Sequence, residues 1–292
     1  MSGIIPQLVV NGLILGALLA LLALAFSLSY FVREHFNLAL LPLWLANGYL
    51  LWFGMHAAPT PLGLFGTLIV GAVLSIALGV MLVVGIYLPL HKRGMSDIFV
   101  PSLSLLIMGQ SLFAIAFGPT PQLFNIGEAL GRTDALIVGS IYVEPYQVTF
   151  MALALPILAV ILVWTKLSKQ GRLITALVEN RELAAVVGIN TRALTIVAYV
   201  VGSALLAPAA IVLAGSSGVG PYVGLAEFIL AIAAALAAPV GNFVAVVAAA
   251  FAIGLLRELS LFWIPGHWQT SFALAVFIVA ITLSRRASTS LR

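Results

Sequence analysis

The sequence predicts an all-α polytopic membrane protein, with one transmembrane domain over residues 1–292, eight or nine membrane-spanning helices and a small external β-hairpin. Three observations predict this class. The chain is 63% hydrophobic and only 8% charged, whereas a soluble domain carries about 25% charged residues. Its mean hydropathy of +1.20 is typical of proteins surrounded mostly by lipid. Its apolar residues also lie in long runs, which short polar or charged segments separate.

Each run of about 20 mostly apolar residues predicts one spanning helix. The first run has no basic segment before it and no small-residue cleavage site after it, so it predicts a span and not a removable signal peptide. Only Pro239, Gly241 and Asn242 interrupt residues 225–258, which predicts either two short or tilted spans or one span with a re-entrant segment. The predicted spans are 7–31, 38–56, 63–88, 98–118, 147–165, 194–214, 225–238, 241–258 and 267–284.

The basic residues predict which side of the membrane each loop faces. With the N-terminus outside, 11 of the 13 Lys and Arg residues lie in cytoplasmic segments, and only Arg132 and Arg257 lie outside. Because basic residues accumulate in cytoplasmic loops, we expect the N-terminus outside and the C-terminus in the cytoplasm. These loops account for the net charge of +4, so no nucleic-acid partner is expected. The 11 residues are Arg33, Lys92, Arg93, Lys166, Lys169, Arg172, Arg181, Arg192, Arg285, Arg286 and Arg292.

A long external segment, residues 119–146, contains the pattern of a β-hairpin. The β-branched runs ALIV (135–138) and IYV (141–143) are separated by Gly139-Ser140, a two-residue connection typical of hairpins. We expect a small hairpin on the outer face, where it serves either as a simple connector or as a docking surface.

The cytoplasmic loop 166–193 contains a short charged helix in the stretch ALVENRELAAVVGIN. Leu177, Ala184 and Val187 share one helical stripe, and the polar residues 179–182 cover much of the remaining surface. A helix of about ten residues is unstable alone in water, and its carboxylates are costly to bury in hydrocarbon. Two Glu beside one Arg differ from the basic face of an interfacial helix. The pattern therefore favours a protein partner, with a solvated face as the simpler alternative.

This helix also carries the main resemblance to a known family. Glu182-Leu183-Ala184, three residues and then Gly188 resemble the EAA-x3-G signature of ABC importer permeases, with Leu183 in place of the first Ala. Gly188-Ile189-Asn190 is similar to the GIN ending in permeases of branched-chain amino acid (Liv-type) uptake systems. The chain is most similar to the LivH-like subunit. Further fragments in the family's order are Asn11-Gly12 with Gly16, residues 88–94, Phe117-Gly118-Pro119 and residues 218–224.

Two motifs of the family are incomplete in this chain. Residues 36–39 keep only the beginning of NFAHGE, and residues 238–242, APVGN, replace the Gly-rich GGxGS. Both departures concern the solute more than the architecture. Branched-chain amino acids are the solutes that the resemblance implies, and urea, short amides and other amino acids are the alternatives.

The resemblance implies a multi-pass permease of the bacterial cytoplasmic (inner) membrane with several partners. These are a second permease subunit (a different, LivM-like chain), two cytoplasmic ATPases that bind ATP and Mg²⁺, and an external binding protein that delivers the solute. The chain has no GxxxxGK[ST] phosphate loop, so we expect neither an ATPase activity nor a cofactor of its own. The charged helix is implied to couple to an ATPase, with Gly188 as its left-handed cap. The implied coupling residues are Glu179, Asn180, Arg181, Glu182, Leu183, Ala184, Gly188, Ile189 and Asn190.

Polar residues at membrane depth are candidates for the pathway or for an outer gate. Asn11, Asn47 and Gln110 lie within predicted spans, where each either lines the pathway or bonds to a neighbouring helix. Glu227 opens the seventh span, where it either benefits from the helix dipole or belongs to an outer gate. The gate candidates are Pro221, Tyr222 and Glu227.

Two other classes of protein fit less well. An enzyme lacks support because the four His residues are scattered, no HExxH motif occurs and there is no Cys, so no metal is expected either. A secondary transporter or channel for a small neutral solute is the stronger alternative. Ion-coupled carriers usually place ionisable residues at mid-membrane, whereas here the charged residues lie in loops or near span ends. An ABC importer permease is therefore the preferred interpretation.

Overall fold

A computed structural model describes residues 4–33, 35–90, 96–123, 127, 135–139, 141–179, 184, 188–216, 218–276 and 278. The described part is almost entirely helical, as the composition predicts. The helices are α1 (Ile4–Arg33), α2 (Leu40–Ala57), α3 (Pro61–Leu82), α4 (Ser96–Phe117), α5 (Pro145–Leu167), α6 (Lys169–Glu179), α7 (Thr191–Ala204), α8 (Leu206–Ser216), α9 (Leu225–Ala237) and α10 (Phe243–Ser260). The remaining elements are strands β1 (Leu136–Val138) and β2 (Ile141–Val143), a π turn (Val83–Tyr87) and a helical turn (Leu88–Leu90) that extend α3, and a 3-10 turn (Gly266–Trp268).

Six helical segments of the described residues are long and apolar enough to cross a membrane. The 18-residue α2, which contains Asn47 and His56, occupies most of the predicted span 38–56 but is not among these six segments. The 13 residues of α9 make about 20 Å of helix, less than the roughly 30 Å of hydrocarbon; α9 is thus shorter than the predicted span 225–238 requires. The last part of the predicted span 267–284 lies outside the described residues. The six segments are Ile4–Val32, Pro61–Leu90, Ile98–Phe117, Pro145–Leu167, Thr191–Ser216 and Phe243–Ser260.

Helix α1 forms the centre of the bundle. From Ala17 to Phe26 no side chain is more than 2% exposed, as expected for a helix that is apolar on every face. Helix α10 packs antiparallel along it, with the ring of Phe243 5.8 Å from that of Phe31. At the other end of the contact, a Cβ placed on Gly254 would lie only 2.5 Å from the Gly16 nitrogen. The small-residue spacing Gly12-x-x-x-Gly16 predicts such a close helix contact.

The outer layer consists largely of α3, α4 and α5. In these spans no more than 28% of the residues in the most apolar window are buried, compared with 72% in α1. Their exposed side chains include many large apolar residues, as expected for helices that contact lipid or another membrane subunit. The described core therefore lies around α1, with α8, α9 and α10 packed on it and α2 packed on α8.

The strands pair antiparallel, with Leu136 opposite Val143, and Gly139 in the turn has a positive φ of 63°. They are the two strands of the predicted hairpin. The side-chain amide of Gln7 donates to the carbonyl of Tyr142 at 3.0 Å and accepts from the N–H of Tyr142 at 2.7 Å. The hairpin is therefore fixed to the beginning of α1. We call this end of the bundle the hairpin end and the opposite one, where α6 lies, the α6 end.

Candidate functional site

A cavity of about 270 Å³ lies at the hairpin end, between α1, α2, α5, α8, α9 and α10. Ligand pockets usually measure roughly 300–1,000 Å³, so this cavity suits one small solute. It contains two of the six pathway and gate candidates, Asn11 and Glu227, together with two charged residues that sequence reasoning leaves outside the site. Its charged and polar side chains are Asn11, Trp44, Tyr146, Gln147, Ser216, Glu227, Arg257 and Glu258.

The cavity holds an ion pair between two consecutive helices. Arg257 Nη1 of α10 lies 3.3 Å from Glu227 Oε1 of α9, and the two side chains are only 18% and 25% exposed. Gly224, with a φ of 82°, precedes α9, and a Cβ there would lie 2.5 Å from the Trp44 ring. This tight turn places Glu227 in the first turn of α9, where the helix dipole stabilises a carboxylate. The dipole and Arg257 therefore act on the same group.

The backbone carbonyl of Arg257 is hydrogen-bonded, whereas its guanidinium group is not fully hydrogen-bonded. Its carbonyl accepts bonds from Ser260 Oγ at 2.6 Å and Gln269 Nε2 at 3.4 Å. Its Nε atom is buried and has no hydrogen-bond partner among the described residues. The indole nitrogen of Trp44, which also lines the cavity, has none there either. A buried N–H without a partner is costly, so the described residues leave both donors unsatisfied beside the cavity.

The other cavity and gate candidates have different surroundings. Asn11 Oδ1 accepts a bond from Gln7 Nε2 at 3.0 Å, so this residue links the cavity to the hairpin. Tyr222 is 62% exposed and Pro221 is buried, and neither lines the cavity. Gln110 of α4 is nearly buried and lies outside the cavity lining as well. Of the six candidates, Asn11 and Glu227 therefore line the cavity and the other four do not.

Asn47 forms a hydrogen bond to a neighbouring helix, which is the simpler of its two predicted roles. Its side-chain nitrogen donates to Ser75 Oγ of α3 at 2.6 Å and to the Leu43 carbonyl at 2.7 Å. Asn47 is only 4% exposed, and Ser75 only 2%. The contact therefore ties α2 to α3, away from the cavity.

Ser75→Ala is therefore expected to lower stability slightly and to leave transport intact. One interhelical bond is lost, which costs about 0.6 kcal/mol on average and at most roughly 2 kcal/mol. Thermal unfolding of the purified protein and solute uptake would be measured on the same preparation. A large loss of uptake at unchanged stability would instead place the Asn47–Ser75 pair in the solute pathway.

The loop 166–193 starts with a sharp turn between α5 and α6, in which Ser168 Oγ accepts a bond from the N–H of Gly171 at 2.8 Å. Helix α6 begins at Lys169, several residues earlier than the stretch that the sequence favours for the charged helix. Ile174 and Leu177 are buried and hold α6 on the bundle. Four predicted coupling residues and the side chain of a fifth lie outside the described residues: Asn180, Arg181, Glu182, Leu183 and the side chain of Glu179.

The end of this loop has the geometry of a helix C-cap. The N–H of Ile189 donates to the carbonyl of the buried Ala184 at 3.0 Å, and Gly188 has a φ of 79°. This bond and a left-handed glycine before its donor form a Schellman cap. Asn190 Oδ1 then accepts from the N–H of Ala193 at 3.0 Å and caps α7. Gly188 and Asn190 therefore fix the backbone conformation immediately before α7.

The loop between α9 and α10 touches α6. A Cβ placed on Gly241 would lie 3.5 Å from Val178 Cγ1 and 3.9 Å from Thr175 Cγ2, which is ordinary van der Waals contact. Beside this contact is a second cavity of about 480 Å³, lined in part by Lys166 and Arg172. The α9–α10 pair therefore connects the charged cavity at the hairpin end with α6 at the other end.

Among the described residues, six apolar segments of membrane-crossing length surround or flank a solute-sized cavity with charged walls, which is the architecture of a polytopic membrane protein. The family described as "Branched-chain amino acid transport system / permease component" matches residues 8–281, and the chain belongs to this family. It is the permease subunit of an ATP-binding-cassette importer and a multi-pass protein of the bacterial inner membrane.

Curated relatives match almost the whole chain. The high-affinity branched-chain amino acid transport system permease protein LivH of Escherichia coli (strain K12) is 24% identical over 291 residues, which cover 94% of this chain and 92% of the relative. LivH of Salmonella typhimurium (strain LT2) is 23% identical with the same coverage. No solved structure matches the chain.

Proposed function

We propose that this chain forms part of the pathway by which an ABC importer moves branched-chain amino acids, or similar small solutes with apolar side chains, into the cytoplasm. The observation that carries this proposal is the cavity at the hairpin end, which combines charged groups with an apolar wall. The family description and the names of the LivH relatives support the same solute class.

The hairpin end is proposed to face outward and the α6 end the cytoplasm. Lys166, Lys169, Arg172 and Arg192 all lie on α5, α6 or the first turn of α7 at the α6 end, and basic residues favour the cytoplasmic side. The cavity then opens where an external binding protein delivers its solute, and the β-hairpin is placed to contact that protein. The proposed topology has eight or nine spans, with the N-terminus outside and the C-terminus inside.

Coupling is proposed to run through the loop 166–193. Two ATPase subunits, which bind ATP and Mg²⁺, drive the transport. The charged segment 179–190 lies in a groove of one of them, and a second, LivM-like permease completes the pathway. The cap at Gly188 lies directly before α7, and α6, which precedes the segment, lies beside Gly241 in the loop that joins α9 to α10. A movement of the segment is thereby transmitted to the helices that carry Glu227 and Arg257. The chain itself has no ATPase activity in this scheme.

Reconstituted transport tests this function. In proteoliposomes that contain both permeases and both ATPases, with the binding protein outside and ATP inside, we expect L-leucine uptake that vanadate abolishes. Uptake should also be lost without the binding protein and should persist with a protonophore. Uptake by the chain without ATPases, or uptake abolished by the protonophore alone, would instead support a secondary transporter or channel.

A further inference from the structure

We propose that Arg257 and Glu258 bind the two charged groups of an α-amino acid in the cavity, and that Glu227 is an internal carboxylate which occupies Arg257 in the absence of the solute. This assignment rests on the proposed function, which gives the solute class but no residues that recognise it. It names a binding site within the permease itself, separate from that of any external binding protein.

Arg257 has unused capacity for a carboxylate. A guanidinium has five N–H donors in a planar fork that matches a carboxylate bidentately. In the described structure its side chain makes one contact, from Nη1 to Glu227 at 3.3 Å, and its buried Nε has no partner. One long bond leaves most of the fork free. A solute carboxylate in the cavity can use the remaining donors of the two terminal nitrogens.

Glu258 is the complementary partner for an ammonium group. It follows Arg257 directly, so the two side chains point about 100° apart around α10, yet both line the cavity. Within the described ranges its carboxylate forms no ion pair, and the one ion pair there joins Arg257 to Glu227. An α-amino acid carries its ammonium and carboxylate on adjacent carbons. It can therefore contact two neighbouring side chains of opposite charge at once.

The remaining wall of the cavity suits an apolar side chain. The apolar residues that line it are Ile14, Leu15 and Leu18 of α1 and Val212 and Leu213 of α8. Burial of an apolar side chain against this wall favours binding. An apolar amino acid therefore matches the cavity at three points, whereas a simple amine or a simple carboxylic acid matches it at two.

Glu227 gives the site its most distinctive property. Its negative charge already lies beside Arg257, where it repels the carboxylate of the solute and shares the guanidinium with it, so it opposes binding. Removal of its charge should therefore strengthen binding, whereas removal of the Arg257 or Glu258 charge should weaken it. A purely structural ion pair would behave differently, because loss of either partner would then have the same damaging effect.

The test is equilibrium binding of [³H]L-leucine to the purified permease–ATPase complex without the binding protein. We expect saturable binding to the wild type. Two analogues, 3-methylbutylamine without the carboxylate and 4-methylpentanoate without the ammonium group, should compete at least about tenfold more weakly than unlabelled leucine, which corresponds to about 1.4 kcal/mol. Equal competition by either analogue would overturn the assignment of the residue that binds the missing group.

Four variants complete the test, each checked by thermal unfolding. Arg257→Gln and Glu258→Gln should weaken binding at least about tenfold, and Glu227→Gln should strengthen it about threefold, equal to about 0.7 kcal/mol. Arg192→Gln, an exposed arginine at the α6 end, should leave binding unchanged. The proposal fails if Arg257→Gln and Glu258→Gln bind leucine normally, if Glu227→Gln weakens binding as Arg257→Gln does, or if the wild type shows no saturable binding.

The same preparations separate this proposal from the proposed function. Vanadate-sensitive leucine uptake by the wild type, together with unchanged binding in the variants, refutes only the residue assignment. Absence of leucine uptake by the complete wild-type complex refutes the proposed function itself.

Discussion

Glu182→Lys is expected to reduce ATP-driven solute uptake to background while the chain still inserts and assembles with its partner permease. Glu182 belongs to the EAA-like signature of the charged segment, which we propose to lie in a groove of the ATPase. Reversal of its charge places a cation where the groove accepts an anion, and a like-charge juxtaposition at an interface costs several kcal/mol. A coupling element that is no longer seated cannot transmit movement. Uptake would be measured in proteoliposomes and assembly by co-purification of the second permease.

The absence of cysteine from this chain provides a direct control. A single cysteine at position 182 can be labelled with a membrane-impermeant maleimide from one side at a time. Labelling should occur from the cytoplasmic side, and the assembled ATPase should protect the residue. Glu182→Gln, which removes the charge without reversing it, should retain more uptake than Glu182→Lys. Normal uptake by Glu182→Lys, or labelling from outside, would show that the segment does not couple to an ATPase.

Sequence reasoning predicts the local features of this fold well. Long apolar runs predict helices because the backbone hydrogen bonds of a membrane segment must be made within the chain. Gly139 in the hairpin turn and Gly188 at the helix stop both have positive φ, as their sequence neighbourhoods predict. The Gly12-x-x-x-Gly16 face lies against Gly254. Each of these features depends on a few adjacent residues, so a short window contains the information.

The ion pair in the cavity shows what a short window omits. Glu227 and Arg257 are 30 residues apart, and they meet because α9 and α10 run antiparallel. From the sequence, Glu227 is explained either by the helix dipole or by an outer gate, and Arg257 is only one of two basic residues outside. One signal was present: two opposite charges near the corresponding ends of consecutive helices. The link from Gln7 to Tyr142, 135 residues away, had no such signal.

The loop between α9 and α10 illustrates a second limit of prediction from sequence. Pro239, Gly241 and Asn242 correctly indicate an interruption, but the sequence does not show what the loop contacts. In the structure Asn242 Oδ1 caps α10 through the N–H of Ala245 at 3.0 Å, and Gly241 lies against α6. The loop with the sequence APVGN, which replaces the family's Gly-rich motif, is therefore placed to transmit movement between α6 and the α9–α10 pair. The loop touches the helix that leads into the proposed coupling segment.

Gly254→Leu is expected to prevent formation of a stable bundle. A Cβ on Gly254 would lie 2.5 Å from the Gly16 nitrogen and 2.7 Å from the Gly12 carbonyl oxygen. Both are backbone atoms, so no side chain can turn aside, and α1 and α10 would have to separate. Overpacking of a well-packed core costs typically about 1–3 kcal/mol and occasionally more. Here it acts on the central helix of the bundle, so we expect the upper part of that range or beyond.

The matched control for this prediction is Gly66→Leu on α3, where a Cβ would meet nothing within 4 Å. Both variants place leucine in an apolar helix, so hydrophobicity and helix propensity change alike and only the local space differs. Gly254→Leu should lose the monodisperse peak in size-exclusion chromatography after mild heating, whereas Gly66→Leu should retain it. Since α10 also carries Arg257, loss of the α1–α10 contact should abolish leucine binding at the same time. A Gly254→Leu protein as heat-resistant as the wild type would mean that α1 and α10 do not pack through these glycines.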